Sequence, residues 1–165
     1  MKRLIVLFIV IFAFTGICFA ADPVEGYWLS IDRHGKADSG WHIYVEGGIL
    51  YGKILSMSDK TIPPLAYRCK GSYLNFPIAG NVSQMPLLGT PWIFGLTSVK
   101  TGEWDGGYIV NAEDGKQYRC KITYRQADGK KFKRDVIEMR GQLLRANLGR
   151  SVYWEKTDEY GASSL

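Results

Sequence analysis

The chain has 165 residues, of which 46% are hydrophobic and 22% are charged, and its formal net charge is +5. This length suits one domain with its own hydrophobic core, and no linker or low-complexity stretch divides the sequence. So mild a positive charge argues against a nucleic-acid partner.

Residues 1–20 are predicted to be a secretory signal peptide. Lys2 and Arg3 precede an apolar stretch at residues 4–14, and small residues lead up to Ala20. We therefore expect cleavage after Ala20 and a mature protein in the periplasm or outside the cell, with the net charge lowered from +5 to +3 by loss of the two cations. A retained membrane anchor is the alternative, but the apolar run is short for a membrane span.

The rest of the sequence alternates between polar and apolar residues with period two, which is typical of β-strands. Aromatic and β-branched residues are frequent, and glycines interrupt the pattern at short intervals. The pattern is clearest at residues 116–125, where Tyr118, Cys120, Ile122 and Tyr124 share one face. We predict eight strands, over residues 25–31, 40–46, 49–56, 92–98, 103–110, 116–125, 131–141 and 149–157.

Two Asp-Gly pairs indicate tight turns between the last predicted strands. They are Asp114-Gly115 and Asp128-Gly129, and glycine readily adopts the positive φ that hairpin turns require. Residues 57–91 differ, because they carry five prolines and no sustained periodicity. A connection this long is usually functional or a packed flap, and a structural loop that closes one end of a barrel is the simpler interpretation.

Eight short antiparallel strands must protect their edges, and closure of the sheet achieves this. We therefore predict an all-β domain over residues 21–157, namely one up-and-down eight-stranded antiparallel barrel with a long proline-rich flap. A polar tail follows at residues 158–165, and a two-sheet β-sandwich is the alternative fold. A closed barrel of this size has either a packed interior or room for one small ligand.

Cys69 and Cys120 are the two cysteines outside the leader. In an oxidising compartment such a pair is most simply a disulfide, and closing a loop of about 50 residues stabilises by roughly 4 kcal/mol. The bridge would fasten the flap to a core strand. Two cysteines with the distant His34 and His42 do not supply a metal site, and Cys-x-x-Cys spacing is absent, so no metal or other cofactor is predicted.

Several segments together resemble a known bacterial family. They are Gly26-Tyr27-Trp28 and residues 86–96, 102–118, 138–141 and 149–154. In this order they resemble the family called domain of unknown function 2147 over essentially the whole mature chain. The resemblance implies a small exported bacterial protein with a lipocalin-like barrel, and it supplies no catalytic residues. Many relatives carry cysteines where this chain has residues 50–52 and 148–150, so a bridge between Cys69 and Cys120 depends on the cysteine count alone.

The opening Gly26-Tyr27-Trp28 also resembles the Gly-x-Trp motif of lipocalins, in which the tryptophan plugs one barrel end beneath an arginine. The resemblance assigns these structural roles to Trp28 and Arg150. A guanidinium over an indole stabilises by about 0.5 to 2 kcal/mol when partly desolvated, and the contact would join the first strand to the last.

No enzyme motif is present, because the sequence has no nucleophile elbow, no zinc-protease motif and no phosphate-binding glycine loop. Glu103 and Asp105 share a strand face at a spacing of about 7 Å, which could suit glycoside chemistry. Trp104 lies between them and points the other way, so we expect the two acids to face solvent. We therefore predict a protein without catalytic residues.

The leading hypothesis is an exported module that binds a small amphipathic or anionic ligand. Trp92, Phe94, Trp104 and Tyr118 would form the walls, unless they only fill the core. Glu138 and Arg140 share a strand face, and an inward Arg140 would anchor an anionic head group. The alternative is that this pair faces water as a cross-strand ion pair.

The second hypothesis is an envelope or protein interaction module that acts through the flap and the basic strands. Residues 116–134 hold eight cations, against Asp128 as their one acid. Such a surface fits an anionic lipid or cell-wall polymer, although a solvated charged face is the simpler interpretation. The sequence identifies neither the ligand nor the oligomeric state.

Overall fold

A computed structural model describes residues 21–143 and 149–165 of the chain. Within them the strands are β1 (Gly26–Ile31), β2 (Ala37–Glu46), β3 (Ile49–Met57), β4 (Pro91–Lys100), β5 (Glu103–Asn111), β6 (Lys116–Arg125), β7 (Val136–Leu143) and β8 (Gly149–Thr157), followed by the helix α1 (Glu159–Ser163). Each strand pairs antiparallel with the next, and β1 also pairs with β8. The predicted eight-stranded up-and-down barrel is therefore confirmed, and the sandwich alternative is excluded.

One predicted strand begins five residues too early. Strand β7 begins at Val136, whereas the sequence pattern placed its start at residue 131. Residues 126–135, which we call the basic loop, instead curl around Asp128, whose carboxylate accepts the main-chain N–H groups of Lys130 and Phe132, both at 2.9 Å. The Asp-Gly pair thus forms part of a wide loop and not a two-residue hairpin.

The barrel has two different ends. The β2–β3 turn, the β4–β5 turn and the basic loop lie at one end, together with residues 22–25, and we call it the closed end. The β1–β2 and β5–β6 turns and the flap lie at the other, the open end. Large inward-facing side chains fill the closed half, namely Trp28, Ile43, Leu50, Leu96, Trp104, Ile122 and Ile137.

A glycine allows this half to pack tightly. A Cβ on Gly52 would lie 2.6 Å from Cδ1 of Ile43 and 3.0 Å from Cδ1 of Ile93, closer than side chains tolerate. Glycine at this position therefore leaves room for the side chains of its two neighbours, Ile43 on β2 and Ile93 on β4.

Trp28 plugs the closed end. It is fully buried, and its indole Nε1 donates to the carbonyl oxygen of Val24 at 2.9 Å. The ammonium of Lys156 lies 4.3 Å from the centroid of the Trp28 ring and donates to the carbonyl oxygen of Glu25 at 2.7 Å. Because Trp28 and Lys156 are register partners, this contact joins β1 to β8.

Lys156 thus makes a contact with Trp28 of the kind that the lipocalin motif predicted for Arg150. The backbone of Arg150 pairs with Gly141 near the open end of β8. The side chain of Arg150 lies outside the described residues, so the role predicted for it stays a prediction. Burial lowers the pKa of Lys156, because loss of solvent disfavours the charged ammonium.

The flap, residues 58–90, packs on the outside of the barrel. It contains one turn of 3-10 helix at Val82–Gln84. The ring of Phe76 lies 5.2 Å from that of Phe94 and 5.9 Å from that of Trp92. The hydroxyl of Tyr73 donates to the carbonyl oxygen of Gly115 at 2.8 Å, which fastens the flap to the β5–β6 turn. The first four residues of strand β4, residues 91–94, are therefore buried on both faces.

The C-terminal segment is part of the fold. Ala162 of α1 is fully buried against the outer face of β2 and β3, where the hydroxyl of Ser56 donates to its carbonyl oxygen at 2.6 Å. A Cβ on Gly40 would lie 1.8 Å from this oxygen, so the contact requires glycine. Among the described residues, no helix is long and apolar enough to cross a membrane.

We expect Lys156→Met to lower the free energy of unfolding by about 1 to 3 kcal/mol, because the variant loses both the cation–π contact and a charge-assisted hydrogen bond. Urea unfolding followed by tryptophan fluorescence measures the change. Lys70→Met, at an exposed flap position, is the control and should change stability by less than about 0.5 kcal/mol. Equal effects of the two substitutions would contradict the role of Lys156.

Candidate ligand-binding site

The half of the barrel near the open end is hollow. It contains a cavity of about 970 Å³, which lies between the inward faces of the strands, the flap and the β5–β6 turn. Trp41 and Trp154 form its floor, with ring centroids 4.6 Å apart and ring planes inclined by 32°. The cavity falls within the size range of small-molecule sites, about 300 to 1,000 Å³.

The cavity walls are mainly apolar. The strands contribute Ile54, Ile109, Met139 and Val152, and the flap contributes Ile62, Leu65 and Leu87. Met139 and Val152 are register partners on β7 and β8 and share the inward face with Trp154. Val152 is 45% exposed even though it points inward, which shows that solvent reaches the cavity through the open end.

Polar groups concentrate at the mouth of the cavity. The acids around it are Asp38, Asp59 and Glu113, and the one cation among the described lining residues is Arg68. Arg68 is already occupied, because its guanidinium donates to the main-chain oxygen of Glu113 and to the hydroxyl of Tyr67, both at 3.1 Å. Asp59 accepts the main-chain N–H and the hydroxyl of Thr61, at 2.8 and 2.7 Å, and these bonds lower its pKa.

The carboxylate of Asp38 differs from these groups, since it has no hydrogen-bond or ion-pair partner among the described side chains, which do not include those of residues 143–150. Partial burial raises the pKa of Asp38, and the negative charges of Asp32 and Asp59 raise it further. A cationic or hydrogen-bond-donating group at the mouth would relieve this repulsion, so the electrostatics favour such a group over an anion.

The structure brings one of the predicted wall residues to the cavity. Tyr118 lines it, and its hydroxyl donates to the carboxylate of Asp114 at 2.7 Å, which raises the pKa of Tyr118 to about 12. Trp92 and Phe94 are buried, but they contact Phe76 beneath the flap on the outside of the barrel.

Trp104 points inward but belongs to the filled half. It pairs with Ile122 and is 5% exposed. Its indole Nε1 is a buried donor without a hydrogen-bond partner in the described part of the chain. Trp104 is therefore a core residue and does not line the cavity.

The predicted polar anchors lie on the outer face of β7. Glu138 forms an ion pair with Arg125, with 3.0 Å between Nη2 and Oε2, and Arg140 is exposed. Ile137 and Met139 take the inward positions of this strand. The structure therefore does not support an inward Arg140 anchor, and it also shows that the cross-strand partner of Glu138 is Arg125 and not Arg140.

Sequence reasoning missed Trp41, Met139, Val152 and Trp154 as cavity residues. Alternation along β2 and β8 does place these side chains on the inward face, so a signal was present. What the pattern does not contain is the height of each residue along the barrel axis, which decides whether an inward side chain lies in the filled or the hollow half.

The acidic pair on β5 has a structural explanation. The carboxylate of Glu103 lies 2.5 Å from Nζ of Lys121 and 3.3 Å from Nζ of Lys100, and Asp105 lies 4.0 Å from Lys121. These contacts form a surface ion-pair network while Trp104 faces inward. The described residues contain no group of three or more His, Cys, Asp and Glu side chains that could hold a metal ion.

The sequence profile of a family described as "Uncharacterized protein conserved in bacteria (DUF2147)" matches residues 26–156, which run from the start of β1 to the last residues of β8. The chain belongs to this DUF2147 family. No curated protein matches the chain in sequence.

A solved structure has a similar fold to this DUF2147 protein. It is protein HP1028 from the human pathogen Helicobacter pylori, described as belonging to the lipocalin family. The two chains superpose with a TM-score of 0.64 and 14% sequence identity, over 86% of this chain and 87% of that chain. At this identity the likeness establishes the lipocalin-like barrel fold and no more.

The two cysteines of the DUF2147 protein are separate buried thiols in the structure. The Cα of Cys69 lies 3.5 Å from the point that a Cβ on Gly115 would occupy. Cys120 lies five residues further along β6, which corresponds to roughly 17 Å at about 3.3 Å per residue. A disulfide needs Cα atoms within about 7 Å, so the predicted bridge is not formed and would require the flap to move.

We expect two free thiols in the folded protein. Iodoacetamide in denaturant, without a reductant, should modify both Cys69 and Cys120, and mass spectrometry counts the adducts. In the native state both should react slowly, because burial covers the sulfur atoms and raises the pKa of both thiols. Modification that appears only after reduction would show that the disulfide forms.

Proposed function

We propose that this DUF2147 protein binds a small amphipathic molecule in the hollow half of its barrel. The observation that carries the proposal is the solvent-accessible, mainly apolar cavity of about 970 Å³ above the Trp41–Trp154 pair. Transfer of apolar surface from water into such a site provides about 25 cal/mol for each Å² buried. The lipocalin-like fold is compatible with this role.

The arrangement of the site supports one orientation of the ligand. Its apolar part would lie against the two indoles, and its polar end would lie at the mouth beside Asp38 and Asp59. An anionic polar end has less support, since Arg140 faces outward and the donors of Arg68 are used by Glu113 and Tyr67. We therefore favour a polar end that is cationic or rich in hydrogen-bond donors.

Binding fits the site better than catalysis. Histidine and cysteine do not occur among the described residues that line the cavity. The hydroxyl of Ser39 accepts the indole N–H of Trp41 at 2.9 Å, and among the described residues it donates to no histidine or carboxylate that could act as a general base. The proposed role is therefore that of a carrier or receptor for a small molecule. The leader at residues 1–20 supports an action outside the cytoplasm, after cleavage at Ala20.

The first test fills the cavity. We expect Val152→Trp to weaken binding of the neutral fluorescent probe N-phenyl-1-naphthylamine at least tenfold, because an added indole occupies space between Met139 and the mouth. Val99→Trp is the matched control, since Val99 is 59% exposed near the closed end of β4. Fluorescence titration measures both dissociation constants. Equal binding by the two variants, or no binding by the unchanged protein, would refute the proposal.

The second test examines which polar end the site prefers. It compares dodecyltrimethylammonium, dodecanol and dodecanoate, each below its micelle concentration. Displacement of the same fluorescent probe measures their binding. We expect the cation to bind about five to ten times more tightly than dodecanoate, and Asp38→Asn to remove most of this preference. Asp105→Asn, on the outer face of β5, is the control.

The same preference should depend on pH in a defined direction. Asp38 is charged above its pKa in the folded protein, and that pKa is raised by burial and by Asp32 and Asp59. The advantage of the cationic probe should therefore fade as the pH falls, beginning at a higher pH than an ordinary aspartate would show. Equal affinities for all three probes would leave the cavity as a binding site and refute the orientation.

A further inference from the structure

The structure divides the eight cations of residues 116–134 into two groups. Three of them have acidic partners, since Lys121 contacts Glu103, Arg125 contacts Glu138 and Lys116 lies 3.8 Å from Asp114. The positive charge of strand β6 is thus largely balanced by these nearby acids. Apart from the exposed Arg119 on β6, the remaining positive charge is concentrated elsewhere.

That charge lies in the basic loop. Lys130, Lys131, Lys133 and Arg134 are all exposed, and none of them lies within ion-pair distance of a carboxylate in the described part of the chain. Like charges this close together repel, which makes the loop a strongly positive tip on a protein of modest net charge.

The two acids of the basic loop maintain its shape and do not pair with these cations. Asp128 accepts main-chain N–H groups within the loop. Asp135 accepts the hydroxyl of Tyr124 at 2.6 Å and the main-chain N–H of Ala127 at 2.9 Å. Both carboxylates have lowered pKa values for this reason, so their hydrogen-bonding capacity is directed into the loop.

Aromatic packing also holds the basic loop in place. The rings of Phe132 and Tyr153 lie 5.1 Å apart, and the ammonium of Lys131 lies 4.8 and 4.9 Å from their centroids. The main-chain oxygen of Phe132 accepts two N–H groups, from Asp128 and Gly129, both at 3.1 Å. The cations are therefore displayed from a folded loop, and little main-chain conformational entropy would be lost when they meet a partner.

The start of the folded chain lies at the same end of the barrel. Gly102 lies between Pro23 and Tyr124, because a Cβ on it would be 3.4 and 3.3 Å from these side chains. The main-chain N–H of Lys156 donates to the main-chain oxygen of Asp135 at 2.8 Å, and its ammonium donates to the carbonyl oxygen of Glu25. The apolar leader therefore joins the protein close to the basic loop.

We propose that the basic loop docks the closed end of the barrel onto an anionic lipid bilayer. Several lysines and arginines on one tip match the phosphate head groups of such a surface, and the attraction acts over about 8 Å at 0.15 M salt. A protruding tip fits a flat bilayer better than a polymer, which needs a groove along its length. A cleavable leader joined at residue 21, as predicted, would also bring this end to the membrane during export.

The geometry has a functional consequence. Because the cavity opens at the opposite end of the barrel, a protein docked in this way presents its mouth to the aqueous phase. The proposal does not depend on ligand binding, and either one can hold if the other fails.

Vesicle sedimentation tests the proposal with the protein in the form that its host accumulates, its N-terminus established by mass spectrometry. The loop variant carries Lys130→Gln, Lys131→Gln, Lys133→Gln and Arg134→Gln. The control carries Arg33→Gln, Lys36→Gln, Lys60→Gln and Lys70→Gln, four exposed cations near the open end. Both variants lose three lysines and one arginine, so their net charges are equal. Near-ultraviolet circular dichroism confirms that both remain folded.

We expect the unchanged protein to bind phosphatidylglycerol-containing vesicles, to bind phosphatidylcholine vesicles at least tenfold more weakly, and to be released by 0.5 M salt, roughly as charge screening requires. The loop variant should bind the anionic vesicles at least tenfold more weakly than the control variant. Equal losses in the two variants would show an effect of net charge and overturn the proposal. Tighter binding to soluble polyphosphate than to vesicles would also overturn it, because it would identify a polymer as the partner.

Discussion

Closure of the sheet between β1 and β8 is the constraint on which the rest of the structure depends. Trp28 and Lys156 lie opposite each other across this seam. The ammonium of Lys156 lies over the indole ring and also donates a hydrogen bond to the carbonyl oxygen of Glu25. A closed ring of eight strands has a fixed width, so its interior must be filled by side chains or left open. In this protein the seam contact coincides with the filled end, where the core residues are largest.

The barrel is hollow beyond that core, toward the open end, because of the side chains that occupy the inward positions there. Trp41 and Trp154 cover the filled half, and the inward positions beyond them hold smaller or more flexible side chains such as Val152 and Met139. The flap reaches the mouth at Leu65, while its Phe76 packs against Trp92 and Phe94 on the outer face of β4. One segment therefore both borders the cavity and stabilises the wall from outside.

The strands were predictable because alternation, aromatic content and Asp-Gly turns all indicate the same architecture. The start of β7 was missed, since Asp128 binds main-chain N–H groups over four residues and produces a wide loop that resembles a strand in its pattern. Trp92 and Phe94 were assigned to the cavity because a strand buried on both faces has no polar side to mark the exterior. The disulfide was predicted from the number of cysteines, and that number contains no information about the distance between them. The prediction that Arg140 points inward was wrong, because apolar residues occupy the inward positions of β7.

The division into a filled and a hollow half also affects how such a protein tolerates change. In the closed half a smaller side chain would leave a void, which costs about 24 cal/mol for each Å³. Around the mouth the space is already empty, so replacing Val152 or Leu65 by another residue alters the shape of a vacant volume without removing packed contacts. Under the proposed function, stability and recognition would thus lie at opposite ends of one barrel, and selection would modify the ligand preference while the folding core stays constant.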